Sequence, residues 1–326
     1  MNPNDCDPVL LVQPYRFIFR CESPAFFPAG TLTNHLRGAF GLIFRRMVCD
    51  PTCPGAKKCP PTRGCPYAKL FAPRLDGLET AGVADPPRSY VLRSPVLDEL
   101  QFMPGDRFSV DLHLFDLSQP CLRYFILAYM QLSEEGLGPR RARVSLESVV
   151  RLGADRQPGR TVFDGQNIEP DAEANPVRLN LAPPRTPVHN LRLMFLTPTA
   201  LRVDNHSTMQ PDFPAIVARA CERIAALSGF YQGRGLDADV GGMCQRARAV
   251  HLVAPNTRLL RFERHSTATG ETHELSGFVG SADYFGDLTE FVPYLRAAYW
   301  TGIGKHTVWG SGAVQTVIHH TVSSHP

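Results

Sequence analysis

Gly302-Ile303-Gly304-Lys305-His306-Thr307-Val308-Trp309-Gly310-Ser311-Gly312 is the stretch around which this 326-residue chain is read. Four glycines stand in the pattern G-x-G-x5-G-x-G, with a lysine and a histidine between them. Glycine permits positive φ and leaves the main-chain N–H uncovered for an anion. The segment before it, 287–300, has a helical pattern: Asp287 and Glu290 fit a capping box, and Leu288, Phe291, Leu295, Ala298 and Tyr299 form an apolar stripe. The segment after it, 313–318, reads as a strand. Two phosphate motifs are excluded by spacing. A dinucleotide fingerprint needs a glycine where Thr307 stands and a strand before the loop, and a P-loop needs Gly-Lys-Ser/Thr after four residues.

Working back from this loop, 191–203 reads as a strand. Asp212 and Pro214 open a helix with Phe213, Ile216, Val217, Ala220, Ile224 and Leu227 on one face. Segments 249–253, 259–264 and 273–279 are strand candidates. The first half has the same order. A strand over 9–21 precedes a helix opened by Thr31 or Thr33, with Leu32, Leu36, Ala39, Phe40, Ile43, Phe44 and Met47 inward. Strands over 89–97 and 107–117, a helix from 118 to Gly136 and a strand over 143–152 follow. The order β-α-β-β-α-β is that of a ferredoxin-like unit. The fold class is therefore α+β, with two such units in tandem: 1–155, a polar, proline-rich linker over 156–187, and 188–326. Gly38 and Gly41 inside the first helix each cost up to about 1 kcal/mol against alanine. They imply close packing or close approach of a ligand.

An insertion over 49–71 interrupts the first unit. Cys49, Cys53, Cys59 and Cys65 follow the spacing C-x3-C-x5-C-x5-C amid prolines, with no apolar periodicity. Four soft ligands in one short loop suit tetrahedral zinc; an iron–sulfur cluster or no metal are the other readings. Four sulfurs leave no open position, so such a zinc is structural rather than catalytic. Lys57, Lys58 and Arg63 lie within this insertion.

The totals are ordinary: 43% hydrophobic, 20% charged, formal net charge +3. A nucleic-acid surface must then come from local clustering. The first residues have neither a basic n-region nor an apolar h-region, and no apolar run reaches about 18 residues. Nine cysteines, five of them scattered, fit a reducing compartment. The expectation is a cytoplasmic chain with no leader and no membrane contact.

The glycine-rich loop resembles the C-terminal signature of the RAMP superfamily of CRISPR-associated RNA-binding proteins. Leu36-Arg37-Gly38-Ala39-Phe40-Gly41 resembles the "LRGAxG" helix of the branch that processes CRISPR repeat RNA. The four cysteines, followed by Pro66-Tyr67-Ala68-Lys69-Leu70-Phe71, resemble the insertion and "CPYxxLF" ending of a zinc-bearing subgroup of those endoribonucleases. The resemblance implies tandem ferredoxin-like (RRM-like) domains and structural zinc. Its partners are CRISPR repeat RNA or crRNA, and possible effector subunits. It also implies metal-independent cleavage of precursor RNA to a 2′,3′-cyclic phosphate and a 5′-hydroxyl. A non-cleaving RAMP subunit that holds guide RNA is the alternative, and a zinc-ribbon DNA-binding or scaffold protein is a third.

Such cleavage needs a base for the 2′-hydroxyl, a donor for the leaving oxygen and cations for the phosphorane. His35 is the first candidate, because a helix N-terminus attracts phosphate and keeps imidazole neutral. Family members often carry a histidine there. Tyr15, on the preceding strand, is a candidate for orienting the 2′-hydroxyl, against plain core packing. Lys305 is a candidate phosphate partner. Arg37, Gly302, Gly304, Lys305, His306, Gly310 and Gly312 are candidate RNA contacts. So are Arg246 and Arg248, which would share a strand face. Arg258, Arg261 and Arg264 lie beyond them, and His319, His320 and His325 are read as solvent-exposed.

Overall fold

The computed structural model describes residues 8–53, 65–73, 86–94, 98–203, 206–208, 210–233, 235–236, 239–261, 263–265 and 272–319. The chain divides into two compact units: a first of 11–178 with 226–234, and a second of 1–10 with 179–225 and 235–326.

In the first unit the elements are β1 (Val9–Cys21), β2 (Ala25–Phe27), α1 (Leu32–Val48), α2 (Pro66–Phe71), β3 (Tyr90–Arg93), β4 (Leu100–Phe102) and β5 (Arg107–Leu114). They continue with α3 (Cys121–Met130), α4 (Leu132–Glu135), β6 (Val144–Leu152), β7 (Pro158–Phe163) and β8 (Val177–Asn180). The sheet runs β3-β5-β1-β6-β7, with β8 also paired to β1. Taking β1, β3, β5 and β6 as the four strands of a β-α-β-β-α-β unit, their spatial order is second, third, first, fourth, the ferredoxin-like order. The two-residue period of β1 sends Tyr15, Phe17 and Phe19 to one face, where all three are buried. There they meet α1 and α3: Phe40 stacks on Phe125 at 3.9 Å, and Tyr129 packs edge-on to Phe17 at 5.5 Å.

The segment expected to be a linker, 156–187, instead carries β7 and β8. Its polar, proline-rich composition hid them because these strands lie at sheet edges and are mostly exposed. Thr31 stands at the N-cap of α1, but its hydroxyl donates to the Pro28 carbonyl and caps nothing.

In the second unit the elements are β9 (Asn190–Thr199), β10 (Leu201–Val203), β11 (His206–Thr208), α5 (Phe213–Gln232), α6 (Val240–Ala247) and β12 (His251–Leu260). They end with β13 (Glu263–His265), β14 (Thr272–Glu274), β15 (Gly277–Phe285), α7 (Val292–Thr301) and β16 (Val314–Ile318). The last residues of α5 are grouped with the first unit. The main sheet runs β12-β15-β9-β16, all antiparallel, the same order as in the first. The helix expected from Asp287 begins at Val292, because Pro293 takes the first turn, where a missing N–H costs nothing. Asp287 instead accepts the Thr289 N–H at 3.3 Å.

Among the described residues, no helix is long and apolar enough to cross a membrane.

Candidate nucleic-acid interface

His35 sits in the first turn of α1, half-buried, with its ring 5.9 Å from that of Phe27 on β2. Burial holds its pKa below the usual histidine value. The imidazole is therefore neutral near neutral pH, the state a general base requires. Arg37, the candidate RNA contact two residues on, turns away from it. Residues two apart on a helix stand about 200° apart, and the Arg37 guanidinium lies 5.4 Å over the Phe71 ring of α2. Gly41 makes room for that same ring, since a Cβ there would stand 3.1 Å from it. Gly38 has no such neighbour within 4 Å.

Tyr15 leaves the list of catalytic candidates. It is fully buried. Its hydroxyl donates to the Ala172 carbonyl at 2.9 Å, and burial raises its pKa far above the usual phenol value.

The glycine-rich loop folds differently from an open anion cradle. Gly302 ends α7, its N–H donating to the Ala298 carbonyl at 2.8 Å. The Ile303 N–H donates to Gly312, the Gly312 N–H to Pro198 and the Lys305 N–H to Ala200, at 2.9, 2.9 and 3.2 Å. The N–H groups of Trp309, Gly310 and Ser311 are also taken by carbonyls within the loop. The glycines thus serve the chain's own turn. All four have positive φ, and a Cβ on Gly312 would stand 1.9 Å from the Ile303 carbonyl oxygen. What the loop presents outward is side chains. Lys305 is exposed, and His306, itself at φ 62°, stacks flat on Trp309 at 4.8 Å. The aromatic partner was not singled out in the sequence, although Trp309 stands three residues beyond His306.

Arg246 and Arg248 are not on a strand. Arg246 closes the last turn of α6 and Arg248 is its C-cap. The helix was hidden by Gly241 and Gly242, but Gly242 makes room for the cap: the Asp239 carboxylate accepts its N–H at 2.8 Å. Arg246 is held by both oxygens of Glu290 at 2.7 Å, so its charge is already paired. Arg248, Arg258 and Arg261 are exposed. The Arg264 side chain, His320 and His325 lie outside the described residues. His319 is exposed, 3.9 Å from Asp283.

Cys49 is the C-cap of α1 and Cys65 the N-cap of α2. Burial pushes the Cys49 thiol up to about 11, with the nearby Cys53 and Cys65 sulfurs adding to the effect. Cys59, Lys57, Lys58 and Arg63 lie outside the described residues. Among the described residues, no three His, Cys, Asp or Glu side chains form a group able to hold a metal ion.

Two family models match this architecture. Residues 10–175, just over half of the chain, match the model AF_1859_N, described as an N-terminal domain. Residues 193–314 match the model of the CRISPR-associated endoribonuclease Cas6. The chain belongs to the AF_1859_N family. The stretch similar to the Cas6 model runs from within β9 to the first residue of β16 and includes the whole glycine-rich loop. Among solved structures, the Cas6 (TTHB231) product complex is similar over 94% of this chain and 99% of that one, with a TM-score of 0.55 at 15% identity. Thermus thermophilus Cas6 (TTHB231) gives 0.53, at 15% identity and coverages of 94% and 98%. The partial Cas6-RT-Cas1–Cas2 complex gives 0.56 at 11% identity, covering 97% of this chain and 47% of that one. These likenesses are likenesses of fold. No curated protein matches the sequence.

Proposed function

We propose that this protein cuts CRISPR precursor RNA within its repeats without a catalytic metal. The match to the Cas6 model carries this reading, and the half-buried, neutral His35 supplies its chemistry. In the reaction the 2′-oxygen bonds to the adjacent phosphorus and the P–O5′ bond breaks. His35 takes the 2′-hydroxyl proton, and the departing 5′-oxygen receives a proton from water. The products are a 2′,3′-cyclic phosphate and a 5′-hydroxyl. Lys305, exposed on the glycine-rich loop, pairs with RNA phosphate as a point charge.

Cys49, Cys53, Cys59 and Cys65 are proposed to hold a structural zinc. The spacing C-x3-C-x5-C-x5-C is what supports the assignment, and thiolates are the ligand type zinc takes in closed sites. Bound there, zinc would tie the end of α1 to the start of α2, and it takes no part in the cleavage step.

The test is incubation of the purified protein with end-labelled repeat RNA, with EDTA added at the start of the reaction. A single cut leaving a cyclic phosphate is expected. Tight binding of the repeat with no cut would instead identify a non-cleaving RNA-holding subunit.

A further inference from the structure

The loop joining α4 to β6 reads Gly136-Leu137-Gly138-Pro139-Arg140-Arg141-Ala142-Arg143. It sets three arginines within four positions, all exposed. Among the described residues none of the three is ion-paired. Two acids on flanking elements are engaged elsewhere: Glu135 is held by Arg46 at 2.5 Å and Glu147 by Arg107 at 2.6 Å. Glu22 and Glu134 stand exposed on the adjoining segments.

This loop is a built turn. Leu137 and Ala142 exchange both main-chain hydrogen bonds, at 2.8 and 3.0 Å, and the Arg141 N–H donates to Gly138 at 3.0 Å. Arg141 itself is left-handed, at φ 48°. A Cβ on Gly136 would stand 2.6 Å from the Arg141 carbonyl oxygen, so the turn requires glycine there. Its base is bound to the end of β1: the Glu22 N–H donates to the Arg143 carbonyl at 2.9 Å, and the Arg143 N–H to the Ser23 hydroxyl at 2.8 Å.

The turn also packs on the strand that carries His35's neighbour. A Cβ on Gly138 would lie 3.5 Å from the Phe27 ring, and that ring is the one 5.9 Å from His35. The Arg140 guanidinium lies 5.5 Å over Phe26. Cationic forks on a rigid main chain suit phosphodiester oxygens, because little freedom is lost when they bind. We infer that Arg140, Arg141 and Arg143 bind the RNA backbone and guide the strand to be cut over Phe26, across β2, to His35. The inference deepens the endoribonuclease reading and rests on it.

The experiment compares the full chain with its R140A/R141A/R143A variant. Repeat-RNA affinity is measured over a range of salt, and cleavage at subsaturating and saturating RNA. Three phosphate contacts on a single strand predict a salt slope lower by about 2, and a Kd weaker by about tenfold or more at low salt. Cleavage should fall far more at subsaturating than at saturating RNA. The thermal midpoint should hold, since the three side chains are exposed. Should the midpoint fall, Arg140→Glu and Arg143→Glu, which leave the left-handed position alone, must each still weaken binding. An unchanged Kd and salt slope beside a wild-type chain that binds and cuts would overturn the assignment of this turn. A wild-type chain that neither binds nor cuts repeat RNA would overturn the endoribonuclease reading, and this inference with it.

Discussion

His35 is one of eleven histidines, and its environment sets its chemistry. Burial beside Phe27 penalises the imidazolium, so the folded-state pKa is lowered. A base with a lowered pKa stays unprotonated further into acid. The acid limb of kcat/KM for repeat cleavage should therefore inflect below the ordinary histidine value of about 6.5. His35→Ala should abolish cleavage while leaving RNA binding within a few-fold. An inflection at or above the ordinary value, or full cleavage by the variant, would remove His35 from the mechanism. The position of His35 on a first helical turn was legible from Thr31 and the apolar stripe behind it. That Arg37 lies over Phe71 was not read, although residues two apart on a helix face different ways. That Tyr15 is sealed beneath Ala172 was not legible, because the partner lies 157 residues along the chain.

At the level of elements, two helices were blurred by what surrounds them: Pro293 moves the start of α7, and two glycines open α6. The start of α3 was legible from Pro120, but the partner of its first turn was not. The Glu173 carboxylate accepts the Leu122 N–H in the first turn of α3. Around it, the Gln13 amide donates to the Glu173 carbonyl, and the Tyr15 hydroxyl and Arg151 both donate to the Ala172 carbonyl. Burial pushes Glu173 up to about 7, against the opposing pull of the Leu122 N–H and Arg123. The folded chain then keeps a proton that the unfolded chain has already released above about pH 4.3. Its contribution is most favourable below that value and declines as pH rises to about 7. Glu173→Gln stays uncharged throughout. Denaturant midpoints at about pH 5 and about pH 8 should therefore fall more for the wild type than for the variant. Equal changes in both would show that Glu173 titrates normally.

At the scale of the molecule, the proposed zinc bears on how the first unit is held together. The segment between α1 and α2 has almost no apolar residues to pack, and a metal supplies what a core cannot. Elemental analysis of the purified chain should find about one zinc, retained through gel filtration and lost with Cys49→Ser/Cys65→Ser. Metal far below one per chain would end that assignment. The sequence by itself determined the α+β class, the β-α-β-β-α-β order of the first half and the place of His35. These depend on local periodicity, and a periodicity of 2 or 3.6 is written into neighbouring residues. Tertiary structure alone decided that the glycines of 302–312 serve an internal turn, that Arg246 is spent on Glu290, and that β7 and β8 belong to a sheet. It also brought the arginine turn at 140–143 onto Phe26 and Phe27. Its composition was in plain view, but its meaning was not, because the ring it packs against lies more than a hundred residues earlier. Hydrogen bonds and contacts between residues that far apart leave no periodic trace in sequence; only the folded chain brings the partners together.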